Sequence, residues 1–503
     1  MRRQAETGFL VAGADIRNDI YVPRYYDPRI AAELQAISDT HDLLLLGDLI
    51  AAGNIEHRHG SYVPKMHYGT GPFPYIRTSD ISNWELRASP KHGVSEDVFF
   101  AYSTDQDVRS GDIIFVHEGT YLIGTVAMVT AYDGPMLYQH HLAKFRVNDN
   151  APFTNHFLLA AFGSPIVQRQ IRARQFSADI IDSVVGRIGE IIIPVPKDRK
   201  IHDNVSNIVR RAVDGRGRWR ERVSHFLPAL EQMMAVGTER FDEVVEWVPR
   251  PNEYDGITTF LGDREQFTAF CKPSNDMIGD ILIPKYYNPK LRDKLAEFED
   301  ECELRTVDVL IQEKILSLDV GDEIGRLAYG TGTIPFMRTS DLGTFELKAD
   351  AKHGVDEMVW AQYQRTQDVQ SGDVLLVRDG TYLVGSSSLV LENDLPLLFC
   401  GGLYKLRCND SDALQPGLLY ALLNLPIARR QMRSKQFTRD VIDTLGHRIR
   451  EVVLPIPRSL ELRGKIASFV EEACQSRVRL RATLRDLCAG LFSLPDSELG
   501  VSA

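Results

Sequence analysis

The chain has 503 residues, 44% of them hydrophobic and 25% charged, and a formal net charge of −11. Two or more domains with their own cores fit in that length, no apolar run nears the roughly 20 residues of a membrane span, and the acidic balance argues against a protein that coats nucleic acid while leaving room for a local basic groove. The six cysteines (Cys271, Cys302, Cys400, Cys408, Cys474, Cys488) show no paired metal-ligand spacing, which argues against a zinc site or disulfide framework, and the start Met1-Arg2-Arg3-Gln4-Ala5-Glu6-Thr7 carries no apolar secretion segment, so the cytoplasm is the expected compartment.

One unit is written twice. Gly69-Thr70-Gly71 and the following Tyr75-Ile76-Arg77-Thr78-Ser79-Asp80 return as Gly330-Thr331-Gly332 and Phe336-Met337-Arg338-Thr339-Ser340-Asp341. The offset of 261 holds without a gap from Asp15/Asp276 to Pro196/Pro457. Shared residues therefore report what both copies need, and differing ones what each does alone.

Each copy opens on Tyr25-Tyr26-Asp27-Pro28 or Tyr286-Tyr287-Asn288-Pro289, whose proline starts a helix predicted over 29–38 and 290–299. Tyr75-Ile76-Arg77 and Phe336-Met337-Arg338 read as a strand, and Thr78-Ser79-Asp80 and its copy as the turn that leaves it, with the Asp bonding its own backbone. Lys91-His92-Gly93 and Lys352-His353-Gly354 suit a loop tip. The runs 110–116 and 119–124, with 371–377 and 380–385, read together as a hairpin, and further strands are expected at 126–131, 143–147, 389–391 and 404–407.

Helices are predicted over 155–162 and 166–175 and over 417–423 and 427–436, the second of each pair carrying a basic face. A strand ending in Pro194-Val195-Pro196 or Pro455-Ile456-Pro457 closes the unit.

Beyond each Pro-x-Pro comes a long helix. Val205, Val209, Ala212, Arg216, Trp219, Val223, Phe226 and Leu230 alternate steps of four and three, and Ile466, Val470, Ala473, Arg477, Leu480, Leu484, Leu487 and Leu491 repeat them, as a coiled-coil seam does. About 26 residues at ~1.5 Å each make a helix of roughly 39 Å. Gly215 and Gly217 should weaken the first helix near its middle and Pro228 should kink its end. Arg216 and Arg477 stand at the same step of both seams, either snorkelling to solvent or forming a polar layer with neighbours such as Asp214 or Glu472.

The expected fold is thus α+β, two tandem repeated domains at 1–196 and 271–457. Each precedes a long helix, at 197–235 and 458–494, and the two helices pair as an antiparallel coiled coil. A connection at 236–270 and a tail at 495–503 complete the chain.

No catalytic constellation assembles from the sequence. A phosphate loop, a His-Glu-x-x-His zinc pair, a Gly-x-Ser-x-Gly nucleophile turn and the Asn/Asp-Pro-Pro-Tyr/Phe motif of amino-directed DNA methyltransferases are all missing. His92 and His353, the best shared histidines, have no ligand partner at metal spacing, so binding or loop packing is expected of them.

The ordered motifs resemble those of the specificity (S) subunit of type I restriction-modification enzymes. They are the Arg17-Asn18-Asp19 to Pro28 opening, Tyr75 to Ile81, Ser110 to Gly124, Ile191 to Pro196 and the long helix after them, each with a second copy. The resemblance implies two target recognition domains, each reading one half of a split double-stranded DNA site, as a non-catalytic part of a phage-defence complex. It further implies two methyltransferase subunits that carry S-adenosylmethionine and methylate adenine, and motor-nuclease subunits that cleave. No cofactor, metal or membrane is expected on this chain itself. The sequence departs from the family in Gly215, Gly217 and Pro228, and in having Lys197-Asp198-Arg199-Lys200 and Arg458-Ser459-Leu460-Glu461 where a Glu-Gln pair is common.

If the copies read different half-sites, phosphate contacts should be shared and base contacts unshared. Arg77/Arg338, Lys91/Lys352, Arg169/Arg430, Arg172/Arg433 and Arg174/Lys435 are the phosphate candidates, although Arg77 and Arg338 could equally hold an internal carboxylate. His57, Arg58 and His59, against Leu318, Asp319 and Val320, and Arg87 against Lys348 are the base-reading candidates. Two other readings stay open: a tandem DNA-binding module acting without methylation, and a scaffold that binds protein.

Overall fold

The computed structural model describes residues 9–17, 20–87, 92–119, 122–178, 181–237, 241–249, 270–273, 277–278, 281–343, 345–348, 353–380, 383–439 and 442–492. Lys91, Lys352 and most of the expected 236–270 connection lie outside them. The described residues divide into two compact units, one up to Gly217 and from Leu480 on, the other between Arg218 and Arg479. Among them no helix is long and apolar enough to cross a membrane.

Each unit is α+β, and the main sheet of the first is repeated in the second. In the first, Ile55–His59, Leu142–Val147, Ile113–Val116 and Val126–Met128 form an antiparallel sheet in that order; in the second, Leu316–Val320, Leu403–Cys408, Val374–Val377 and Ser387–Leu389 do the same. His41–Leu45 pairs Ile192–Pro196 just as Cys302–Thr306 pairs Val453–Pro457, so the closing Pro-x-Pro strand ties the end of each domain to its start. The central strands Ile113–Val116 and Val374–Val377 are buried throughout, as unbroken apolar runs demand.

The predicted hairpin is corrected in its partner. Ile113–Val116 pairs with Val126–Met128, and the intervening Gly124 only turns the chain, donating its N–H to the Val116 carbonyl at 2.9 Å. The apolar stretch after His92 is the helix Glu96–Gln106, matched by Glu357–Gln367.

Shared polar side chains stitch these elements together. Gln106 donates to the Tyr138 carbonyl and accepts from its N–H, at 2.9 and 2.8 Å, and Gln367 does the same with Phe399 at the same distances. Gln170 and Gln431 hold Ile192 and Val453 in the same way. A side-chain amide that mimics a strand neighbour satisfies backbone groups that would otherwise be buried without partners, so neither copy could lose it.

The long helices run Arg199–Val236 and Leu460–Gly490, 38 and 31 residues, longer than the seam spacing alone suggested. Pro228 lies inside the first and does not end it. Within the second unit Phe469 lies 6.2 Å from Trp219 and 4.3 Å from Phe226 between ring centroids, and Leu462 lies beside Met233, so residue numbers rise on one helix as they fall on the other. The pairing is antiparallel. Most seam residues are buried, but they join the domain cores and do not form a separate helix-helix seam. Val205, Val209, Leu484 and Leu487 share a cluster with Phe157 and Leu159, and Thr154 Oγ1 meets Ser206 Oγ at 2.8 Å.

Gly215 and Gly217 serve this packing. A Cβ at Gly215 would meet Leu480 at 2.9 Å, and one at Gly217 would meet Tyr132 at 3.0 Å.

Candidate nucleic-acid interface

The twice-written stretch folds into the same small device in both units. The strand Phe73–Ile76 ends at Arg77, whose N–H donates to Asp80 Oδ2 at 3.0 Å and closes the turn Thr78–Asp80; Arg338 N–H donates to Asp341 at 2.9 Å. Both carboxylates are buried, so their duty is to cap the turn. The cap leaves the arginine head beside His92, Nη1 to Nε2 3.0 Å, with its Cζ 6.0 Å from the Tyr68 ring centroid and Tyr68 4.5 Å from His92. In the second unit Arg338 lies 3.4 Å from His353 and 5.7 Å from Tyr329, and Tyr329 lies 5.3 Å from His353. Arginine can only donate, so Nε2 is the accepting atom in both pairs. The two arginines thus face imidazole and tyrosine, not the internal carboxylate that remained open.

The other shared positives fall into two groups. Arg174 packs over Tyr25 and lies 3.4 Å from Glu190, which accepts from the Tyr25 hydroxyl at 2.7 Å; burial pushes its pKa below the ordinary arginine value. Lys435 binds Glu451 at 3.1 Å under Tyr286. These two hold the domain entrance to its last turn, and a phosphate would have to displace a carboxylate from each. Arg169 is exposed but paired with Glu33 at 2.6 Å, and Arg430 is exposed at the matching position. Arg172 and Arg433 are exposed without an ion pair among the described residues, which leaves them the freest phosphate candidates.

Arg87 and Lys348 require a correction. Lys348 is buried and Arg87 keeps only 11% of its side chain exposed, their N–H groups donating to the Asp341 and Asp80 carbonyls at 2.8 Å, and the Arg87 head sits 3.9 Å from the Asp80 carboxylate. They support the capping aspartates from behind and do not reach a base edge.

His57, Arg58 and His59 lie on an outer strand of the four-stranded sheet, His57 and His59 on one face. His57 stacks on Phe145 at 4.7 Å, and burial lowers its pKa to about 4. Arg58 is exposed, held by Glu56 at 2.5 Å and by the Asp105 carbonyl at 2.7 Å. His59 Nδ1 lies 3.3 Å from Nε2 of His117, a buried ring that burial also lowers to about 4. His140 stands 4.0 Å from His141, which binds Glu118 at 2.7 Å.

Sequence reasoning missed His117, His140 and His141. Their signal was available, because their counterparts Arg378, Gly401 and Gly402 differ just as Leu318 and Val320 differ from His57 and His59. Neutral imidazoles offer both a donor and an acceptor, which suits base edges better than phosphates. Among the described residues no group of three or more His, Cys, Asp or Glu could hold a metal ion.

Three solved structures similar to this chain come from type I restriction-modification systems. The S subunit from M. genitalium matches at 13% identity and TM-score 0.32, over 91% of this chain and 96% of its own. A structure described as showing complex assembly and conformational transition of the type I R-M system matches at 15% and 0.25, over 90% and 97%. The HsdS subunit from Thermoanaerobacter tengcongensis matches at 16% and 0.25, over 90% and 95%. At these TM-scores the likeness carries no argument about activity. No protein-family model matches, and no curated protein matches.

Proposed function

We propose that this chain is a DNA sequence-specificity subunit of a type I restriction-modification complex. Each α+β unit reads one half of a bipartite duplex target, and partner methyltransferase and motor-nuclease subunits methylate adenine and cleave. The observation that carries this reading is the division between shared and unshared residues. Both units keep the same capped turn, the same Tyr-Arg-His group and the same glutamine braces. At matched positions on the sheet, however, one carries His57, Arg58, His59 and His117 and the other Leu318, Asp319, Val320 and Arg378. A shared scaffold with exchanged surface residues is what two readers of different half-sites need. S-adenosylmethionine belongs, in this reading, to the methyltransferase partners.

Methylome sequencing of cells with and without this chain tests the proposal. A bipartite adenine motif that disappears with the chain is the expected result. Duplex binding with an unchanged methylome would favour a tandem DNA-binding module instead, and no duplex binding at low salt would favour a protein scaffold.

A further inference from the structure

Met66 and Leu327 are 79% and 96% exposed, and they occupy the same position of the two copies. A single exposed apolar side chain is ordinary, so exposure alone means little. The setting adds to it. Each sits in the middle of a one-turn 3-10 helix, Lys65–His67 and Arg326–Ala328, and each turn is fastened from behind. Thr70 Oγ1 donates to the His67 carbonyl at 2.7 Å and accepts from Ser95 N–H at 3.0 Å; Thr331 Oγ1 donates to Ala328 at 2.9 Å and accepts from Asp356 at 3.0 Å. The next residue of each turn is the Tyr68 or Tyr329 that packs against Arg77–His92 or Arg338–His353.

The charge next to each tip in sequence is basic, although Glu323 precedes the second turn and Asp356 braces it. A basic residue, Lys65 or Arg326, precedes each apolar tip, and no acidic residue occurs from Tyr62 to Ser79 or from Ile324 to Ser340. A braced apolar tip with a basic residue beside it complements a polyanion whose interior is apolar. Against phosphate the tip gains nothing, whereas between partly unstacked bases it leaves water while its neighbours neutralise the adjoining phosphates.

We infer that Met66 and Leu327 are wedges that enter a base step of the duplex, one in each half-site, and bend it; the inference rests on the DNA reading above. A wedge senses how easily a step unstacks, not which base it is, so both copies keep it while their base-reading residues diverge. Pyrimidine-purine steps, the easiest to kink, are its natural targets.

The test uses the full chain and a duplex library of randomised sequence with a dye at each end, reading affinity by anisotropy and bending by energy transfer. Wild type should bend the duplex. Met66→Ala with Leu327→Ala should lose the bend and about tenfold in affinity while keeping the salt slope, and Met66→Leu with Leu327→Met should behave as wild type. Wild-type bending and affinity in the alanine pair would overturn the wedge and leave DNA reading intact. A wild-type chain that binds no duplex would sink the DNA reading itself. An alanine pair that binds DNA normally but releases a methyltransferase subunit would give these turns to a protein partner and overturn the wedge.

Discussion

Arg216 and Arg477 show how a charge is kept in a core. They are 1% and 0% exposed, and their guanidinium groups reach Glu85 and Glu346 at 3.2 and 3.4 Å. The partners are not the helix neighbours Asp214 and Glu472 that the sequence offered. They come from the domain, 131 residues away in both copies, so the layer fixes helix to domain. Removing one partner of a buried pair leaves the other charge uncompensated, at a cost of roughly 3–5 kcal/mol. Glu346→Ala should lower the denaturation free energy by that order, and Glu346→Leu with Arg477→Leu should recover much of it. A loss under about 1 kcal/mol for the single variant would show that the charge is satisfied elsewhere.

At the scale of an element, the Gly-Thr-Gly run is explained by two different constraints. Gly69 and Gly330 sit at φ +74° and +72°, in the left-handed region that penalises a Cβ. Gly71 and Gly332 instead press on backbone, where a Cβ would lie 2.6 and 2.4 Å from the Val94 and Val355 carbonyl oxygens. A backbone contact cannot rotate away. Gly71→Ala should therefore cost more than about 2 kcal/mol, whereas Gly69→Ala, with open space around it, should cost about 1–2. Thermal melts of the two variants check the order, and the reverse order would refute this account.

For the whole molecule, the two units should respond differently to acid. His57 and His117 have pKa values lowered from 6.5 to about 4 by burial, with neighbouring histidines adding to the effect. His59, His140, His141, Glu118 and Arg58 are the titratable and charged groups around them, and Glu118 opposes the shift at His117. A group with a depressed folded pKa leaves the unfolded chain holding more protons below its ordinary value. The stability of the first unit is therefore complete above pH 6.5 and is lost as the pH falls from there toward 4. For the buried His117 the loss is on the order of 2–3 kcal/mol. The second unit carries Arg378 and Leu318 at these positions, and its own burial-lowered histidine is His225, without the paired rings of the first unit. Calorimetry across this window should move the first unit's transition further than the second's, and His117→Leu should shrink that difference. Two transitions that fall together through the window would contradict the asymmetry.

The sequence by itself determined the duplication, the α+β class, the capped turn after Arg77, the helix starts at Pro28 and Pro289, and the buried seams of the long helices. All of these are written in local spacing, because a turn, a cap or an amphipathic face is set by residues a few positions apart. Only the tertiary structure decided the fate of the charges. It committed Arg174 and Lys435 to carboxylates and set Arg87 and Lys348 behind Asp80 and Asp341. It left Arg172, Arg433, Met66 and Leu327 in the open, and set His117 beside His59 and His140 beside His141. Those outcomes depend on which side chains meet across dozens or hundreds of residues, and chain order carries no distance of that kind.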